Sequence, residues 1–216
     1  SLESVKFVTG IINKPQETKI VKKPTGSKKG AVGKYNVIFS CESPNYFGYQ
    51  IQANYFGFLQ TKQTGATWTR LMTSRGPDDL MKTFPTYYAK RHPYAWRYGP
   101  FNKADVLTKW FASPDKPKED VIVCIDPDNW LTKDLRPIVD KVKPGLAYAE
   151  KAFFYGSRMT VNRLWKKFCR KNCDVEPDRA AVPYFVHRDD MAKIAPVWKE
   201  YILLIKGMAD PDGGTE

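Results

Sequence analysis

Asp126 and Asp128, two carboxylates separated by one residue, close the apolar run Val121-Ile122-Val123-Cys124-Ile125. The run reads as a buried strand and the carboxylates as its exit loop. A parallel α/β sheet binds ligands outside the carboxyl ends of its strands. Two hard oxygen ligands at that edge can hold a divalent cation, and such a cation neutralises a diphosphate. The same Asp-Pro-Asp triplet also satisfies the rules for a turn, with Asp128-Asn129 able to cap a following helix.

Other residues sit where a sheet and its helices would gather them. Ser40, Cys41 and Glu42 end the run Val37-Ile38-Phe39, an edge that often lines a nucleotide pocket. Arg70 and Arg75 flank the end of a second run and are candidates for phosphate or base contact. Asn102-Lys103 opens a helical stretch, and a helix N-terminus beside an ammonium suits a phosphate, while an Asn cap with a solvated Lys explains the same residues. His187 and Asp190 follow a later strand as metal ligand, general base or sugar-hydroxyl contact, or as capping residues; with Glu150 they are candidates to face an acceptor. Trp130, Tyr148, Phe153, Phe154 and Tyr155 can stack on a sugar or simply fill the core.

The elements that must position these residues alternate. Residues 35–40 and 67–72 read as strands, with a helix over 46–60 begun by Ser43-Pro44. Thr86–Ala89 reads as an edge strand, 91–100 as an ordered loop and 103–111 as a helix. The strand at 121–125 is followed by a helix over 135–142 and a weak strand over 146–149. Residues 161–169 form an amphipathic helix. Pro183 assigns the strand 181–186 to an edge, and the last helix, 189–205, breaks near Pro196. Residues 5–12 are a strand or a packing arm. Strands alternating with helices predict an α/β layered domain over 35–216, preceded by an arm and linker over 1–34.

The 216 residues suit one large domain or two small ones. No run of 18 apolar residues exists, so no transmembrane helix is expected. Net charge is +12, which admits nucleic acid as a partner but equally suits an anionic substrate cleft. Basic residues cluster in the arm, Lys14 to Lys34, and on the helix at Lys166-Lys167, yet no RNA-binding or helix-turn-helix signature accompanies them, so nucleic acid is not favoured. Of the four cysteines, Cys124 reads as core, Cys41 as a nucleophile only in principle, and Cys169 and Cys173 as a pair if the compartment is oxidising. The cysteine spacing and two histidines argue against structural zinc.

The order of the motifs resembles the plant and algal peptidyl glycosyltransferases, namely the serine α-galactosyltransferases and hydroxyproline arabinosyltransferases. Arg91-His92-Pro93 and Asn102-Lys103 are similar to the former. Pro77-Asp78-Asp79-Leu80-Met81 with Phe84-Pro85-Thr86 is similar to the latter. Val37 to Ser40, Thr69-Arg70-Leu71, Asp126-Pro127-Asp128 and Ile194 to Trp198 fit both. The resemblance implies a GT-A-like nucleotide-sugar-binding domain with a mixed, mostly parallel sheet flanked by helices. It further implies a UDP-sugar donor, a glycoprotein or glycan acceptor, and Mn²⁺ or Mg²⁺ held by Asp126 and Asp128. The families continue with a further helical segment. The chain therefore also fits a module of a larger protein, such as an algal-virus enzyme in the host cytoplasm; a cellular member would work in the secretory pathway. The rival readings are a basic nucleic-acid-binding module and a nucleotide-sugar-binding domain without turnover.

Overall fold

The computed structural model describes residues 2–5, 34–42, 47–151, 165–169 and 180–209. The expectations for Ser43-Pro44, residues 6–33, Phe153 to Tyr155, the start of the 161–169 helix and Cys173 lie outside them.

Seven strands form one sheet: β1 (Leu2–Val5), β2 (Tyr35–Cys41), β3 (Ala66–Ser74), β4 (Thr86–Lys90), β5 (Val121–Ile125), β6 (Ala147–Lys151) and β7 (Ala180–His187), in the spatial order β1-β6-β7-β5-β2-β3-β4. β2 runs parallel to β3 and β5, and β3 parallel to β4, while β7 runs antiparallel to both β5 and β6. The fold is thus α/β with a mixed sheet. Five strands point one way, but β7 and β1 oppose them, so neighbouring pairs divide equally between parallel and antiparallel. "Mostly parallel" holds for strand direction and not for pairing.

Alternation along the strands splits the core between the two faces. Tyr35, Val37 and Phe39 of β2 and Val121, Val123 and Ile125 of β5 pack with Trp68 against α1 (Gly48–Gln60), through Ile51, Tyr55 and Phe58. The opposite set, Ile38, Leu71, Ile122 and Cys124, meets α2 (Phe101–Phe111) and the C-terminal helix α4 (Arg188–Ala209) through Val106, Leu107, Trp110, Met191 and Ala195. Because β5 lies between β2 and β7 with helices on both faces, all five of its residues are buried, which is why it reads as a continuous apolar run.

Three expectations are corrected. β7 is interior, not an edge: Pro183 lacks an N–H, and the sheet accommodates it at an irregularity where the β6 register jumps from Ala149↔Tyr184 to Glu150↔Ala181. The helix after the Asp-Pro-Asp loop shrinks to α3 (Arg136–Val139), with Pro137 in its first turn. α4 runs unbroken through Pro196; its long apolar face packs on the sheet and on α2 and outweighs one lost backbone bond. β4 lies at the edge, as its sequence suggests. β1 adds residues 2–5 to the sheet beside β6. Residues 165–168 are helical. Among the described residues no helix is long and apolar enough to cross a membrane.

Candidate active site at the C-terminal edge of the sheet

β2, β3, β4, β5 and β6 all end at one edge, and α2 begins there. Residues just past those ends are Glu42, Arg75, Arg91 and Asp126, with Glu150 near the end of β6. The register Phe39↔Ile125 sets Ser40 level with Asp126, both facing α2 by alternation. Lys103, in the first turn of α2, donates from Nζ to Oδ1 of Asp126. Burial works against the Lys103 ammonium, but Cys124 and Asp126 outweigh it and keep its pKa above the ordinary lysine value. The Cys124 thiol is itself pushed up to about 11 by burial. At neutral pH the charged partner of Lys103 is therefore Asp126.

The Asp-Pro-Asp loop is held from below by a chain of amides. Asn129 accepts at its side-chain oxygen from the backbone N–H of Asp126 (2.8 Å). Asn54 of α1 donates to the Asn129 carbonyl (2.8 Å) and accepts from the Trp68 indole N–H (2.8 Å). Asn54 occupies a helical position between Ile51 and Phe58 on the apolar stripe. A polar residue there was the available signal that α1 supports a loop. Gly57, one turn on, lets the loop backbone approach: a Cβ would stand 3.1 Å from the Leu131 carbonyl oxygen. Asp128 is exposed at the turn, and Trp130 just beyond it is 65% exposed.

Arg91 and Trp96 were not singled out as site residues from sequence. Arg91 donates to Glu42 (2.9 Å) and to the Ala95 carbonyl (3.0 Å), and its guanidinium lies 4.1 Å from the Trp96 ring centroid. Arg75, at the end of β3, lies 4.6 Å from the same ring. Trp96 is exposed and stands between them at the rim. Asn102 donates to Glu42 (2.9 Å), joining α2 to the end of β2.

The remaining candidates fall elsewhere. Arg70 is fully buried, forked onto Asp78 at 2.7 and 3.0 Å and bonded to Thr86 (3.1 Å), so its guanidinium is spent inside the domain rather than offered to a ligand. Cys41 is buried, and burial pushes its thiol up to about 12, which leaves it a poor nucleophile. His187 and Asp190 lie at the opposite edge: His187 pairs with Val121, the first residue of β5, roughly 16 Å along the strand from Asp126 at ~3.3 Å per residue. There His187 accepts from the Asp189 N–H (3.3 Å), and Asp190 accepts from the Gly145 N–H (2.6 Å). Glu150 is the one acceptor-side candidate at the Asp126 edge, two strands across, or roughly 10 Å. Tyr148 packs on the core.

Among the described residues, no three His, Cys, Asp or Glu side chains converge to hold a metal unaided. The acidic pair nonetheless suits a Mg²⁺-like ion, which takes one or two carboxylates and completes its shell with water and substrate phosphates.

Residues 35–213 match the family described as "Hydroxyproline O-arabinosyltransferase family N-terminal domain". The chain is 27% identical over 179 residues to Hydroxyproline O-arabinosyltransferase 1 of Arabidopsis thaliana, covering 77% of this chain and 47% of that protein. It is 24% identical over 189 residues to Hydroxyproline O-arabinosyltransferase RDN1 of Medicago truncatula, covering 83% and 51%. The chain spans about half the length of these relatives. The match favours the arabinosyltransferase side of the mixed motifs and takes in all the described strands but β1, so this chain belongs to the hydroxyproline O-arabinosyltransferase family by its N-terminal domain.

Proposed function

We propose that the chain binds a UDP-sugar at the C-terminal edge of its sheet and transfers the sugar to a hydroxyl of a glycoprotein, in a domain of GT-A type. The observation that carries this is the Asp126-Pro127-Asp128 loop facing Lys103 at the start of α2, within a chain of this family. Asp126 and Asp128 would hold a divalent cation, Mn²⁺ or Mg²⁺, which supplies charge neutralisation to a diphosphate.

The chain's own residues supply the rest. Negative charge builds on the diphosphate as the sugar–oxygen bond breaks, and pre-placed cations stabilise that charge. Lys103 remains protonated at neutral pH, since its pKa is raised. It is anchored by Asp126 and backed by the N-terminus of α2, so it can turn to a phosphate without leaving the site. Arg75, exposed at the rim, adds a second positive charge. Ser40 meets the nucleotide side. Trp130 offers an open ring to the acceptor, and Glu150 can take the acceptor hydroxyl proton if the transfer inverts the anomeric carbon. The disulfide at Cys169 suits an oxidising compartment such as the secretory pathway.

Calorimetry with UDP-arabinose, UDP-galactose, UDP-glucose and a GDP-sugar, each with and without Mn²⁺, tests the reading. A Mn²⁺-dependent preference for one UDP-sugar is expected. Absence of uridine-nucleotide binding overturns it. Binding without sugar release to water or peptide indicates a domain without turnover.

A further inference from the structure

We infer that Thr73, Asn102 and Arg91, gathered around Glu42, recognise the hydroxyl groups of the transferred sugar; the inference rests on the glycosyltransferase reading above. The register puts Cys41 opposite Met72, so Glu42 and Thr73 stand level one step later, on strands ~4.8 Å apart. Leu71 faces α2, so Thr73, two residues on, faces it as well. Glu42 faces α2 too, because it accepts from Asn102, and the same carboxylate oxygen accepts from Arg91.

Among the described residues, three buried polar atoms in this group have no hydrogen-bond partner: Oγ1 of Thr73, Oδ1 of Asn102 and Nε of Arg91. Thr73 is 1% and Asn102 5% exposed. The Asn102 amide cannot be flipped to remedy this, since its oxygen would then face Glu42. Buried polar atoms are ordinarily paired, and leaving them unpaired is costly. Here a pure acceptor, a pure donor and a hydroxyl lie grouped around Glu42, on the face of the sheet that carries Lys103 and Asp126.

The donors and acceptors decide which ligand chemistry suits the group. Arg91 is already paired with Glu42, and a diphosphate, which offers only acceptors, would leave Oδ1 of Asn102 unpaired beside the Glu42 carboxylate. A neutral polyhydroxylated ring suits it, because each hydroxyl both donates and accepts. Arg91 cannot easily swing away, being stacked on Trp96 and bonded to the Ala95 carbonyl. The group would therefore favour a sugar whose hydroxyl arrangement matches these three positions.

The test uses the full chain, wild type against Thr73→Val and Arg91→Lys. Thr73→Val keeps shape and removes only the unpaired hydroxyl. Arg91→Lys keeps the charge that pairs with Glu42 and removes Nε. Thermal midpoints without ligand and calorimetric Kd values for UDP, UDP-arabinose and UDP-galactose are measured. Thr73→Val is expected to be at least as heat-stable as wild type, as befits loss of an unpaired buried group. Both variants are expected to bind UDP as wild type does and to lose affinity for the preferred UDP-sugar, roughly three- to tenfold for Thr73→Val, the worth of one neutral hydrogen bond, and roughly ten- to hundredfold for Arg91→Lys, whose Nε–H is a charged donor. Unchanged UDP-sugar affinity in both variants overturns the assignment. If wild type binds UDP and every UDP-sugar equally, the group around Glu42 reads no sugar and the inference alone fails. If wild type binds neither UDP nor any UDP-sugar, the glycosyltransferase reading fails and takes this inference with it.

Discussion

Asp105 offers the sharpest test of how the site is held. It is a fully buried carboxylate in α2, two residues beyond Lys103, and it accepts from Lys109 and from Lys199 of α4, each at 2.6 Å. At an effective dielectric near 20, each contact carries about 6 kcal/mol of attraction. Most of that is offset by the several kcal/mol needed to bury the charge. Asp105→Asn keeps the shape and removes the charge. Breaking a buried pair costs ~3–5 kcal/mol, but both lysines are partly exposed and can turn to water, so about 2–3 kcal/mol is expected. At ~2–4 °C per kcal/mol for a chain of this size, the midpoint falls by roughly 4–12 °C. The pH dependence separates this account from simple loss of packing. Burial pushes the Asp105 pKa up, but the hydrogen bonds and charges of Lys109 and Lys199 outweigh it and leave it below the ordinary value of 3.8. A carboxylate depressed on folding contributes stability that is complete above its unfolded value and is lost as pH falls through its folded value. Urea unfolding of both proteins at pH 7 and at steps below pH 4 should therefore show a gap that is full at neutrality and closes in acid. A variant as stable as wild type at pH 7, or a gap constant across the acid range, refutes the reasoning.

Other substitutions probe the loop and its support. Gly57→Ala should push the Leu131 backbone and displace the loop that carries Asp126 and Asp128, lowering transfer roughly ten- to hundredfold with normal circular dichroism; unchanged turnover would mean that α1 does not fix that loop. Arg70→Met strips buried Asp78 of its partner and should cost ~3–5 kcal/mol in urea unfolding, whereas a loss below about 1 kcal/mol would show that the pair is not structural. Asp128→Ala, at an exposed turn, should abolish cation-stimulated transfer and leave the melting midpoint within a degree or two of wild type; retained activity removes Asp128 from the reaction.

Much of the architecture was legible because burial on two faces writes itself into composition. β5 announced itself as an unbroken apolar run, and β4 showed at the edge. The opposed direction of β7 was not legible, because alternation and apolar content are alike for parallel and antiparallel neighbours. That one reversal carries His187 to the far edge, so adjacency to a strand end misled where strand direction was unknown. Pro183 misled for a related reason: it marks a missing donor, which an edge or an irregular register can absorb equally well. Arg70 and Arg75 were matched candidates in sequence, and only the partners settled them, a buried carboxylate for one and a rim tryptophan for the other. The links from Trp68 through Asn54 to Asn129 span 75 positions between Asn54 and Asn129, a separation that no local pattern spans.

The first described strand has a practical bearing on handling. Leu2 pairs with Glu150 and Val5 with Ala147, so chain fused ahead of Leu2 would emerge at the same rim as Asp126. A purification tag placed there would crowd the approach of a bulky acceptor. Trimming back past Val5 would instead bare the hydrogen-bonding edge of β6 and invite self-association through strand addition. Preparations that differ only in their first few amino acids should therefore differ in turnover and in aggregation.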